Sequence, residues 1–160
     1  MRKVGKIVIY LSFVIYVLIL LEIIFISRIT VSAYAPDMSV IEYIKSNANF
    51  IPFKSITNYI SAIITGSMSF IIPFSNLLGN LLLFLPMGIY LPLLFNKNRD
   101  IKRISVVMLI LLLSIEVIQL VTRFGAFDVD DIILNFSGFI LGYGIWKIRF
   151  VQKLQKALDF

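Results

Sequence analysis

The chain contains no cysteine and no histidine. These absences exclude thiol and imidazole nucleophiles, disulfides, and the usual zinc, haem and iron–sulfur ligands. Charge is also scarce. Only 15% of the 160 residues are Asp, Glu, Lys or Arg, too few to solvate the surface of an ordinary water-soluble domain. Hydrophobic residues make up 59% and gather in long runs, the signature of helices that cross a bilayer. The expected fold is all-α: one polytopic membrane domain over residues 1–160. No cofactor is expected.

Four runs are long enough to span, at about 7–27, 75–95, 104–122 and 132–148. Roughly 20 apolar residues cross a hydrocarbon core of about 30 Å, so the last run is at the short end. Pro86 is expected to kink the second helix. Arg2, Lys3 and Lys6 before the first run, and Ala33-Tyr34-Ala35 after it, imitate a cleavable signal peptide. The run is too long for that, and Pro36 would follow the cut, so a retained helix is expected.

Residues 56–74 need a separate reading. Ile56, Tyr59, Ile60, Ile63, Ile64 and Met68 recur at helical spacing, with Thr57, Asn58, Ser61 and Thr65 on the other face. This pattern predicts an extracytoplasmic amphipathic or re-entrant segment between helices one and two, not a span. Before it, a short helix is expected near residues 39–45. Asn49-Phe50-Ile51-Pro52-Phe53 reads as a turn whose aromatic ring dips into the interface.

Charge placement sets the topology. Basic residues cluster at Arg2, Lys3 and Lys6, at Lys97, Arg99, Lys102 and Arg103, and at Lys147, Arg149, Lys153 and Lys156. Four spans put all three clusters on the cytoplasmic side, together with both termini, whereas a fifth span would not. The net charge of +6 is thus read as an orientation signal facing anionic lipid, and no nucleic-acid partner is expected. Tyr143 and Trp146 are expected in an interfacial belt. Glu22 sits near the outer end of helix one, where Arg28 is its nearest candidate partner.

The polar residues that interrupt the runs are the candidate site. Asn76 and Asn80 are spaced i,i+4. Glu116, Gln119 and Arg123 are spaced i, i+3, i+7. Asp131, Asn135, Gly138 and Gly142 are spaced i, i+4, i+7, i+11, just after Asp128 and Asp130. Each set makes one stripe on a helix of 3.6 residues per turn, and the predicted topology puts all three stripes in the outer half of the bilayer. Gly138 and Gly142 form a small-xxx-small step that allows close helix approach. The plain alternative is structural glue, with Arg123 pairing to Asp128 or Asp131 and Glu116 bonding to Asn80. Interhelical hydrogen bonds average about 0.6 kcal/mol, while a mid-bilayer charge costs about 2.5–3.5 kcal/mol. So small a return favours a site over glue.

The ordered set of motifs resembles the VanZ-like family of bacterial membrane proteins. Those motifs are Asn49-Phe50-Ile51-Pro52-Phe53, Asn76-Leu77-Leu78-Gly79-Asn80, Phe84-Leu85-Pro86-Met87-Gly88, Glu116-Val117-Ile118-Gln119 with Arg123, and Asp128, Asp130-Asp131, Asn135 and Gly138. The resemblance implies a cell-envelope protein with a link to teicoplanin-type lipoglycopeptide resistance. It supplies no biochemical mechanism and no oligomeric state.

Two functions compete. The first is a non-enzymatic protein binding a membrane lipid, a lipid-linked envelope molecule or a lipoglycopeptide, with Arg123 at an anionic headgroup and the asparagines donating. The second is an intramembrane enzyme acting on an envelope lipid or cell-wall precursor. There Glu116 would be the acid–base, and Asp128, Asp130 and Asp131 would hold a divalent cation. Asp130 or Asp131 capping helix four is the alternative to that metal. A transporter fits less well, for want of repeats or a polar path to the inner face.

Overall fold

The computed structural model describes residues 2–25, 39–94, 100–149 and 151–153. Over these residues the chain is helical apart from one two-residue strand pairing. The helices are α1 (Arg2–Ile24), α2 (Val40–Asn47), α3 (Lys54–Thr65), α4 (Ile71–Leu83), α5 (Leu85–Leu94), α6 (Ile101–Thr122) and α7 (Val129–Trp146). The strands are β1 (Ala48–Asn49) and β2 (Phe127–Asp128), which pair in parallel. Arg28, Asp37, Lys97, Arg99, Lys156 and the Ala33-Tyr34-Ala35 triplet lie outside the described residues.

Three helical stretches are long and apolar enough to cross a membrane: Val4–Ile24, Ile71–Leu94 and Ile101–Thr122. The second contains the break expected from Pro86. Proline has no N–H for the carbonyl four residues back, which is Leu82, and the Phe84 N–H binds that oxygen instead. Helix α4 ends there and α5 continues. The Tyr16 hydroxyl of α1 donates to the Leu83 carbonyl at 2.8 Å, which ties α1 to the break. α7 has 18 residues and is less apolar than these three, because Asp130, Asp131 and Asn135 occupy its first turns.

Several boundaries differ from the sequence reading. The stretch 56–74 is two elements, not one. α3 closes at Gly66, whose φ of 65° is the left-handed cap that glycine adopts without strain. α4 then begins at Ile71, four residues ahead of the expected start, with Pro73 tolerated in its first turn. α7 starts at Val129, three residues early, because Asp128 is its N-cap and accepts the Asp130 N–H at 2.9 Å. The cap is therefore neither Asp130 nor Asp131. Tyr143 and Trp146 do not form an exposed belt. Both are buried and pack with Leu93 where α5, α6 and α7 meet.

The main core joins Leu20 and Ile24 of α1, Phe84 and Met87 near the break, Ile104, Met108 and Leu112 of α6, and Phe139 of α7. Around it α1 and α6 present apolar outer faces, with Val8, Leu11, Ile15, Val107, Ile110 and Val121 exposed. Glycine makes the tightest contacts. A Cβ on Gly138 would collide with the Leu81 carbonyl oxygen, one on Gly142 with that of Leu85, and one on Gly88 with that of Phe139. The backbones of α4, α5 and α7 thus touch, which is how helices gain packing energy where burial from water supplies no drive.

Candidate functional site

The helix directions bring the polar stripes to one end of the bundle. Gln119 near the end of α6 donates its side-chain amide to the Ile24 carbonyl at the end of α1, at 3.1 Å. Asn80 of α4 donates to Asp131 Oδ1 of α7 at 2.6 Å. Glu116 Oε2 accepts the Asp128 N–H at 3.0 Å. The ends of α1 and α6, the Asn80 turn of α4 near the middle of the Ile71–Leu94 stretch, and the start of α7 therefore share one layer. Lys6, Lys102, Arg103, Lys147 and Arg149 fall at the opposite end, at the starts of α1 and α6 and just after α7.

Two loops are pinned into this layer. The β1–β2 pairing sets Asn49 beside Asp128. Asp128 then accepts the Asn49 side-chain amide at 3.0 Å and the Ser55 hydroxyl at 2.5 Å. Asp130, with 0% of its surface exposed, accepts the backbone N–H groups of Phe53, Ser55 and Ile56 at 2.5, 2.7 and 3.1 Å. These are orphan donors at the start of α3, a helix with no side-chain cap of its own. A carboxylate at a helix N-terminus is favoured both by those donors and by the helix dipole. It also supports Phe53, a non-glycine residue in the left-handed region at φ 65°.

The structure does not bring all the predicted residues into one pocket. Arg123 caps α6 at φ 61° with its guanidinium carbon 5.7 Å from the Tyr43 ring centroid. The Tyr43 hydroxyl donates to the Gly125 carbonyl at 3.1 Å, binding α2 to the α6–α7 turn. Asn135 lies one turn beyond Asp131, 6% exposed, and its Oδ1 has no hydrogen-bond partner among the described residues. Asn76 stands on α4 with Asn80, its amide nitrogen donating to the Ile72 carbonyl at 2.9 Å. Glu22 is exposed at the end of α1.

Asp128, Asp130 and Asp131 do not converge as the metal alternative requires. One caps α7, one caps α3, and one meets Asn80. Among the described residues no group of three or more such side chains could hold a metal ion. Glu116, the candidate acid–base, is 4% exposed with its carboxylate on the Asp128 N–H. Sequence reasoning missed Tyr43 and Ser55, and read Asn49 as part of a turn and of a family motif but not as a site residue. The β1–β2 pairing that recruits Asn49 and Ser55 is two residues long and has no periodic signal. The capping box of α2 was legible in principle: Ser39 N–H and hydroxyl donate to Glu42 at 2.9 and 2.8 Å. Those bonds hold the Glu42 carboxyl below its ordinary pKa.

Comparison with known proteins gives the family. The family model described as VanZ/LLP1 matches residues 13–150, most of the chain. Protein VanZ of Enterococcus faecium is 28% identical over 122 residues, covering 76% of this chain and 66% of its own length. The chain thus spans just under two thirds of that relative. No solved structure matches.

Proposed function

The chain belongs to the VanZ/LLP1 family, and from that premise we propose a multi-pass envelope protein whose outer end binds a lipid-linked or amphiphilic ligand. In this reading α1, α4–α5, α6 and α7 are the four spans and both termini are cytoplasmic. α3 lies along the outer membrane surface. Its Ser55, Ile56, Tyr59, Ala62 and Ile63 face the protein, Ile60 and Ile64 flank that face exposed, and Thr57, Asn58 and Ser61 are turned to solvent. Such a three-way division suits a helix at a lipid–water boundary.

One observation carries the reading. The polar layer and the group Lys6, Lys102, Arg103, Lys147 and Arg149 occupy opposite ends of the bundle, while Lys45, Lys54 and Arg123 lie on the polar side. Lysine and arginine mark the cytoplasmic side of membrane helices, so the Asn80–Asp131 and Glu116–Asp128 layer belongs to the outer half of the bilayer. Intramembrane acids are expensive there and mark function by default. The enzyme reading has less support, because the aspartates are divided among separate structural partners and Glu116 is tied to the backbone.

The family resemblance directs the test to lipoglycopeptide resistance. Glu116→Ala, Arg123→Ala and Asp131→Ala variants, expressed in membranes at wild-type level, are expected to lose protection against teicoplanin. Unchanged protection in all three would refute the proposed outer site.

A further inference from the structure

The turn between β1 and α3 bonds its backbone inward and shows apolar side chains outward. Every N–H from Ile51 to Ile56 has an acceptor within the protein. Asn49 Oδ1 accepts that of Ile51 at 3.2 Å, and the Ile51 carbonyl accepts that of Lys54 at 3.4 Å. The buried Asp130 carboxylate accepts those of Phe53, Ser55 and Ile56. Pro52 has no N–H to satisfy. The side chains of Phe50, Ile51 and Phe53 are 68%, 60% and 57% exposed.

Such a turn suits hydrocarbon better than water. Large apolar side chains displayed together on a protein surface mark an interaction site, and backbone placed in lipid must satisfy its own polar groups. The display is held firmly. Phe53 is kept in the left-handed region at φ 65°, and Asp128 ties Asn49 to Ser55 across the turn. The Phe50 ring lies against Phe127, with centroids 5.0 Å apart. Further along the chain Ile60 and Ile64 of α3 and Ile71 and Ile72 of α4 are exposed as well, the last two in a stretch apolar enough to cross a membrane. From Ser46 to Asn96 the sole charged residue is Lys54, exposed at the edge of the turn. A lysine in that position can lay its stem on the apolar side chains and lift its ammonium to the phosphates.

Resting on the reading that α3 lies at the outer membrane surface, we propose that Phe50–Phe53 is a preformed insert into the phospholipid leaflet, with Lys54 at the phosphates. The three side chains enter the boundary between headgroups and acyl chains, about 5–10 Å deep. Asp128 and Asp130 hold the turn, and the Asp128 N–H meets Glu116. Insertion therefore sets how far the polar layer sits below the headgroups. The occupant of this surface is phospholipid, not a second protein.

The test is tryptophan fluorescence of the full chain in phosphatidylcholine nanodiscs. Trp146 is the sole tryptophan and is buried, so the wild type supplies the background. Phe50→Trp, with Ile51→Trp as a second reporter, should emit blue-shifted light. Lipid brominated near the carboxyl end of its acyl chains should remove most of that emission, bromine near the methyl end less, and acrylamide little. Asn58→Trp, on the solvent face of α3, should respond to acrylamide instead. In the Phe50→Trp chain, Lys54→Glu should raise acrylamide quenching and Lys54→Arg should not. Acrylamide quenching without bromine quenching in both reporters overturns the insert, as does an equal bromine response at Asn58→Trp. Unchanged quenching in Lys54→Glu overturns the lysine's part. Ile64→Trp reports α3 by itself, so bromine quenching there but in neither reporter overturns the insert and spares the surface helix. Nanodiscs expose both faces, so these readings stand or fall separately from the resistance test of Glu116, Arg123 and Asp131.

Discussion

Replacing Asp130 should uncouple α3 from the bundle. Its two oxygens accept three backbone N–H groups, from Phe53, Ser55 and Ile56, and the side chain is fully enclosed. Asp130→Ala strands these donors at about 1–3 kcal/mol each where they stay buried. Ser55 and Ile56 are only half-buried, so water recovers part of the loss. The expected cost is about 3–5 kcal/mol, at the upper end for single substitutions. Asp130→Asn keeps the shape but turns one N–H₂ group toward backbone donors and removes the charge. About half that loss, roughly 2 kcal/mol, is expected. Thermal unfolding in detergent measures the total, and amide hydrogen exchange locates it. Protection should fall at Phe53, Ser55 and Ile56 first and spread along Lys54–Thr65, leaving α6 unchanged. Exposed Asn58 in the same helix supplies the control, since Asn58→Ala should do little. A wild-type melting temperature and undiminished protection in Asp130→Ala would refute the capping role.

Other consequences are as direct. Gly138→Ala and Gly142→Ala each force a methyl against a carbonyl oxygen of α4 or α5 and should cost at least about 1–3 kcal/mol by detergent unfolding. Gly144→Ala, where a Cβ meets nothing within 4 Å, should be neutral or slightly stabilising. Tyr16→Phe leaves the Leu83 carbonyl without its 2.8 Å donor and should lower stability by about 0.5–1.5 kcal/mol, measured in the same way. The Glu42 pKa is lowered in the folded helix from its ordinary 4.5 by the Ser39 backbone N–H and hydroxyl. Its contribution is complete above that ordinary value and is lost as pH falls through the lowered one. Hydrogen exchange across Val40–Asn47 should therefore quicken on acidification beyond the intrinsic rate change, and Glu42→Gln should remove that dependence.

The helices were legible because composition and length suffice to read them. The break near Pro86 followed from a missing N–H, and the Gly138–Gly142 step from its spacing. Helix ends were less legible. Gly66 ends α3 and Asp128 starts α7, both local devices that a hydropathy window averages away. In the site, the stripes on α4, α6 and α7 were readable from helical periodicity. The Asn80–Asp131 and Glu116–Asp128 contacts join two of those stripes to α7 and its cap. Long-range loop contacts were not readable. Asn49 meets Asp128 across 79 residues through a two-residue pairing, and Asp130 caps a helix distant in sequence. A sequence shows that an aspartate can cap, but not which helix it caps. Trp146 and Tyr143 illustrate the converse. Amphipathic rings near a helix end suit an interface, yet here packing against Leu93 encloses them.

Orientation of the polar layer is the point on which the functional account stands. The chain has no cysteine, so single-cysteine variants report one site each. Ser67 is exposed in the link between α3 and α4, and Lys153 follows α7. In intact cells, a membrane-impermeant maleimide should label Ser67→Cys and should reach Lys153→Cys only after permeabilisation. Labelling of Lys153→Cys from outside, with Ser67→Cys protected, would contradict the account.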